Sequence, residues 1–131
     1  MSESDFSKSK LNGPSSVSTR KIKVQNHNFT IDKRYKILEI IGKGGYGVVV
    51  SVLDKLTGDI IAIKKIKKVF NNVTYAKRTL RELRIMRLMN HDNILGLKSI
   101  QLPLDRENFH HIYMVLELLD TDLATVIKSD I

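Results

Sequence analysis

The sequence predicts an α+β fold, a five-stranded antiparallel sheet with one long helix packed on it. Three observations predict it. Strand-like runs at residues 35–41, 48–53 and 60–66 follow one another across tight turns, as in an antiparallel meander. Over residues 74–89 the apolar period then changes from two to that of a helix. Last, the nearly all-apolar run 112–119 (IYMVLELL) has the character of a central strand covered on both faces. A chain of 131 residues suits one domain, and 42% apolar content supplies a core. No internal repeat is visible.

In chain order, residues 1–28 hold seven Ser, scattered Lys and Gly13-Pro14, with few large apolar side chains. Such a segment buries too little surface to offset its ordering entropy, so a flexible basic tail is expected, with the ordered domain over 29–131. Order is expected to begin near Phe29 or Tyr35. Thr57-Gly58-Asp59 marks a turn between the second and third strands. Residues 74–89 lack Gly and Pro and are rich in Leu, Arg, Met and Lys, all good helix formers. On a helical wheel Tyr75, Ala76, Thr79, Leu80, Leu83, Met86 and Met89 share one arc that only Arg87 interrupts. Lys77, Arg78, Arg81 and Arg84 lie opposite. His91 to Asn93 end the helix. Residues 94–104 form a weaker strand closed by Pro103, 105–108 a polar loop, and 120–129 a short helix capped by Asp120 or Thr121.

The charge is concentrated. Lys and Arg number 22 against 14 acids, a net +8, and residues 64–87 alone hold nine basic residues against Glu82. A nucleic-acid or anionic-membrane surface and a solvated helix face both fit such a cluster. Aromatics do not interleave with the basic residues and Trp is absent, which favours the solvated face and disfavours nucleic acid. The absence of Cys excludes a disulfide framework, a thiol nucleophile and Cys-based metal sites. The longest uncharged apolar stretch, Ile112–Leu116, is far short of the roughly 20 residues that cross a bilayer. The polar start lacks a secretory core, so no membrane partner and a soluble intracellular chain are expected.

Candidate chemistry begins at Ile41-Gly42-Lys43-Gly44-Gly45-Tyr46-Gly47-Val48-Val49. Glycines let backbone N–H groups approach a polyphosphate closely. A dinucleotide fingerprint needs a helix directly after the glycines, and a P-loop needs Gly-Lys-Ser/Thr. A β-branched run follows instead, so the glycines sit at a hairpin, where an ordinary turn is the alternative reading. Alternation in Ile61-Ala62-Ile63-Lys64 places Ala62 and Lys64 on one face, leaving room for a flat ring beside a cation. The alternative is an edge-strand lysine, the reading given to Lys65, Lys67 and Lys68. Glu82 falls inside the apolar arc of the helix, where a carboxylate turned toward a core needs a partner. A surface pair with Arg78 is the competing assignment.

With these three features in this order, the chain resembles the amino-terminal lobe of a protein kinase. Gly42-x-Gly44-x-x-Gly47-x-Val49 is similar to the glycine-rich nucleotide loop, Lys64 in IAIK to the lysine on the α- and β-phosphates, and Glu82 to its helix partner. The stretches IGKGGYGVV, AIKKI, TYAKRTLREL, HDNILGL and LLDTDLATVIKS resemble mitogen-activated protein kinases, the TLRE and LxxTDL runs most specifically. The resemblance covers about residues 30–131. It implies that Leu116 is the gatekeeper of the adenine pocket, that the backbones of Glu117 and Leu119 form the hinge, and that Asp122 approaches the ribose. It also implies that Arg81 meets a phosphorylated activation loop.

The chain departs from the family pattern after the hinge. It holds no His-Arg-Asp catalytic loop, no Asp-Phe-Gly metal motif and no Ala-Pro-Glu segment. Asp5-Phe6-Ser7 lies in the tail, and His91-Asp92-Asn93 lacks the arginine. No catalytic residue and no metal ligand is therefore assigned, and His110-His111 lacks further ligands. The expectation is the ATP-binding half of a serine/threonine kinase of mitogen-activated type, without its carboxy-terminal lobe and inactive alone. Mg2+, protein substrates and an upstream activating kinase are expected for the full-length enzyme only, in the cytoplasm with nuclear entry. The alternative is a short non-catalytic interaction protein that keeps this lobe to bind kinase partners. Apolar surface left facing a missing lobe predicts marginal stability.

Overall fold

A computed structural model of the chain describes residues 18–101 and 109–129. Its order starts earlier than the sequence suggests. Strands β1 (Thr19–Val24) and β2 (His27–Asp32) form an antiparallel hairpin in which Ile22 pairs with Phe29 and Arg20 with Ile31. The assignment of residues 19–28 to a flexible tail is thus corrected, while residues 1–17 lie outside the described residues. The physical reason is a latch from remote parts of the chain. Phe29 and Ile31 are fully buried against the main sheet. The Tyr113 hydroxyl accepts from Thr30 N at 3.0 Å, while Gln101 accepts from Asp32 N at 2.8 Å and donates to Thr30 O at 2.7 Å.

Five further strands form one antiparallel sheet: β3 (Tyr35–Gly44), β4 (Gly47–Asp54), β5 (Ile60–Ile66), β6 (Leu97–Gln101) and β7 (Ile112–Leu116), in spatial order β3-β4-β5-β7-β6. This is the expected α+β sheet, and β5 has its predicted limits. All five residues of β7 are buried, as a strand between two neighbours requires. Several strand ends differ from expectation: β3 runs on to Gly44 rather than residue 41, and β4 extends one residue further at each end than the expected 48–53. β6 begins at Leu97 rather than residue 94, and its predicted end at 102–104 lies outside the described residues. β7 stops at Leu116 rather than 119, because the chain leaves the sheet there and Glu117 N donates to Gly96 O at 3.3 Å.

Alternation along β5 divides the core. Ile61 and Ile63 join Val48, Val50, Val52, Tyr113 and Val115 on the face covered by the β1–β2 hairpin. Ala62 and Ile66 join Ile112, Met114 and Leu116 on the other. Lys65 belongs to the first face and is corrected from an edge lysine to a buried one: it is 5% exposed. Its ammonium donates to Asn28 O and lies 5.7 Å from the Phe29 ring centre and 5.9 Å from that of Tyr113. Burial pushes its pKa down, and the charge of Lys67 adds to the shift.

Helix α1 (Val73–Leu88) lies over the second face. Asn72 caps it by accepting from Tyr75 N at 3.2 Å. Tyr75, Ala76, Leu83 and Met86 pack on the sheet and Thr79 is buried. Leu80 and Met89, expected on the same inward arc, are half exposed at 49% each, since the sheet covers only part of that arc. A short helix α2 (Leu123–Lys128) closes the described chain. Its cap is Asp122, accepting from Thr125 N at 2.7 Å, rather than Asp120 or Thr121. No helix among the described residues is long and apolar enough to cross a membrane.

One ion pair anchors the start of the sheet. Arg34 donates Nε and a terminal nitrogen to the two oxygens of buried Asp54, at 3.0 and 2.7 Å, and Asp54 also accepts from Leu56 N at 3.0 Å. The Arg34 hydrogen bond holds the Asp54 carboxyl below the usual carboxylate range, against the opposing effect of burial. A carboxyl with a depressed folded pKa contributes stability above its unfolded pKa and loses it as pH falls through the folded value. Urea midpoints measured from about pH 5 downward should therefore decline on the acid side, and Asp54→Asn should flatten that decline. An unchanged acid limb in Asp54→Asn would remove the ion pair from the account.

Candidate functional site

The β3–β4 turn carries the glycines. Gly44 pairs with Gly47 and Gly42 with Val49 across this hairpin. Gly47 adopts φ +148°, and a Cβ there would overlap the carbonyl oxygen of Lys65 on the neighbouring strand. This close approach is why only glycine fits, independently of any ligand. Below the turn opens a cleft of about 980 Å³, at the upper end of the roughly 300–1,000 Å³ usual for small-molecule sites.

The cleft floor comes from β4 and β5. Val49 pairs with Lys64 across the strands, and Ala62 pairs with Leu116 of β7, so the three strands bring these four side chains to one face. Lys64 donates to Glu82 of α1, Nζ to Oε1, at 3.1 Å. The two groups thus lie on the same side of the sheet, as the helical wheel and the strand alternation require together. Glu82 faces the sheet but its side chain keeps 44% of its exposure, against 21% for Lys64, so it lines an open cleft and is not sealed in the core. Its ion-pair partner is Lys64, 18 residues away, rather than Arg78.

Ten of the sixteen sequence-predicted positions line the cleft: Ile41, Tyr46, Val49, Ala62, Lys64, Glu82, Leu116, Glu117, Leu119 and Asp122. Gly42, Lys43, Gly44, Gly45 and Gly47 belong to the paired strand ends and the turn of this hairpin and do not line the cleft. Val48 is corrected outright. Strand alternation turns its side chain to the opposite face, where it is fully buried with Val50 and Val52. Asp122 reaches the rim, but it also caps α2 through Thr125, and that hydrogen bond lowers its pKa. Arg81 is exposed on α1. His111 accepts from Lys68 N at 3.1 Å, a structural use of one member of the histidine pair.

Sequence reasoning missed several lining residues. Ser51 continues the period-two face of Val49, and Met86 lies one helical turn beyond Glu82, so both carried a usable signal. Leu38 lines the cleft at a break in the β3–β4 register, and Ile60, Ile94 and Leu95 line it from a strand end and a loop, none of which a period marks. Among the described residues no three His, Asp or Glu side chains gather as a metal site.

The sequence matches the family model of the protein kinase domain over residues 35–131. It is 53% identical over 97 residues to mitogen-activated protein kinase 8 of Oryza sativa subsp. japonica, covering 74% of this chain and 17% of that protein. It is 47% identical over 106 residues to extracellular signal-regulated kinase 1 of Dictyostelium discoideum, covering 81% and 20%. Against mitogen-activated protein kinase 19 of Arabidopsis thaliana the figures are 50% over 97 residues, 74% and 16%. The chain therefore spans a fifth or less of the length of these relatives.

Proposed function

The chain belongs to the protein kinase family and carries the amino-terminal lobe of its mitogen-activated type, and we propose that its cleft binds ATP. The observation that carries this reading is the Lys64–Glu82 ion pair on the cleft floor beneath the glycine hairpin. An ammonium held by a carboxylate is oriented before any ligand arrives, so less conformational freedom is lost when phosphates bind. Gly42, Gly44, Gly45 and Gly47 would bring backbone N–H groups to the phosphates from above. Ala62, Val49, Ile41 and Leu116 supply the apolar slot for a purine, with Ala62 small enough to leave a ring's thickness. Glu117 has spent its N–H on Gly96, so its carbonyl is the group left to face an adenine amine, with the N–H of Leu119 two residues on.

The full-length enzyme would transfer the γ-phosphoryl of ATP to protein Ser or Thr, under the control of an upstream kinase, with Arg81 meeting the phosphorylated activation loop. ATP supplies the phosphoryl group, and magnesium, when bound, neutralises its charge. The residues of this chain grip and orient the nucleotide. They include neither the group that would orient a substrate hydroxyl nor a described metal site, so these 131 residues alone should bind without transferring. The kinase match over the nucleotide-binding features supports this reading over that of a stand-alone interaction module.

Titration of the labelled chain with ATP, followed by the amide resonances of residues 41–49, tests the proposal. Lys64→Met is expected to weaken ATP binding about tenfold or more, the value of a charge-assisted hydrogen bond. Glu82→Gln should weaken it less, because the cation remains but loses its orienting charge. Equal ATP affinity in wild type and Lys64→Met would sink the reading.

A further inference from the structure

We propose that Tyr46 is a built-in occupant of the polyphosphate end of the cleft, so that phosphates bind there only by displacing its ring from Lys64. The inference rests on the ATP reading above and adds a selectivity to it. The Lys64 ammonium lies 5.0 Å from the centre of the Tyr46 ring, within cation–π range, while its hydrogen bond goes to Glu82. The cation proposed for phosphate is thus already flanked by a carboxylate and an aromatic ring.

The seat of the ring is made by a missing side chain. A Cβ on Gly44 would come within 2.8 Å of Tyr46 Cε1, and one on Gly42 within 3.7 Å of the Tyr46 hydroxyl. Gly44, which would serve a polyphosphate, therefore also admits this ring under the turn, while Gly42 borders it at ordinary contact distance. The backbone beneath it is tied down: Tyr46 O accepts from the Tyr75 hydroxyl of α1 at 2.9 Å and from Lys67 N at 3.1 Å. The ring can leave by side-chain rotation without breaking either bond. Tyr46 is 39% exposed, so the way out opens to solvent. A ring and a phosphate cannot both contact the ammonium from the turn side.

A ligand with a purine but no phosphate has no reason to move Tyr46, whereas ATP must. Tyr46 thus sets how strongly the phosphates add to the affinity of the nucleoside. The test titrates the full chain with ATP and with adenosine, in wild type, Tyr46→Ala and Tyr46→Phe. In Tyr46→Ala the ratio of ATP to adenosine affinity should rise about two- to fivefold, the size of a partly exposed cation–π contact. Tyr46→Phe keeps the ring and should keep the wild-type ratio. A second readout needs no nucleotide. The Lys64 ε-methylene protons should be shifted upfield by the ring in wild type and return in Tyr46→Ala. Binding of both ligands with an unchanged or lowered ratio in Tyr46→Ala overturns this inference and leaves the ATP reading intact. If neither ligand binds any of the three proteins, both fall together. An unshifted Lys64 in wild type overturns the ring placement directly.

Discussion

Gly47→Ala is expected to lower the unfolding free energy by about 3 kcal/mol or more, the combined cost of a strained φ and an overlap that side-chain rotation cannot relieve. Gly47 combines φ +148° with a Cβ direction aimed at the carbonyl of Lys65. The obstacle is backbone in the last rungs of a ladder, since Gly47 pairs with Ile66 and Val48 with Lys65. Relief requires β4 and β5 to part where the cleft floor begins. Gly45 supplies the control: a Cβ there meets nothing within 4 Å, so Gly45→Ala should change stability by less than about 0.5 kcal/mol. Urea unfolding of the two variants checks both values, and equal midpoints would show that the close approach at Gly47 does not exist. The pair also separates two demands on the glycine segment, because Gly47 is required by the fold and Gly45 is available for a ligand.

Phe29→Ala should cost about 3–5 kcal/mol, the usual range for emptying a fully buried aromatic site. Phe29 has no exposed surface and packs its ring 6.0 Å from that of Tyr113, tilted by 48°. The same ring covers the Lys65 ammonium, which then loses part of its cover. The damage should be local first. The amides of Thr30 and Asp32, which donate to Tyr113 and Gln101, should lose hydrogen-exchange protection before β4 and β5 do. A cost under about 1 kcal/mol, with Thr30 still protected, would mean that the β1–β2 hairpin is not held to the sheet by this contact.

This hairpin also shows where sequence reasoning gave out. Averaged over 28 residues, the Ser-rich composition hid the short Lys-Ile-Lys-Val alternation of β1. Nothing local signals that the Tyr113 hydroxyl and Gln101 wait some 70 to 83 residues away. Strand ends were missed for a related reason. Residues 112–119 are apolar almost throughout, but the last ladder pairs are Leu116 with Ala62 and with Leu97, and the apolar run continues past them into the cleft rim. At the site itself, the order of glycines, Lys64 and Glu82 was legible because it rests on two exact periods, two in a strand and 3.6 in a helix. Val48 and Val49 were both counted with the site although period two allows only one of them to face it.

The sequence by itself determined the α+β class, the limits of β5, the sidedness of Ala62 and Lys64, and the place of Glu82 within the apolar arc of its helix. Each follows from where a side chain points relative to its own backbone, which local periodicity dictates. Only the tertiary structure decided that Lys65 is buried between two rings, that the hairpin of residues 19–32 is latched to the sheet, and that Tyr46 folds under its own turn onto Lys64. Those outcomes depend on which surfaces meet across long stretches of chain, and no spacing between neighbours encodes that meeting.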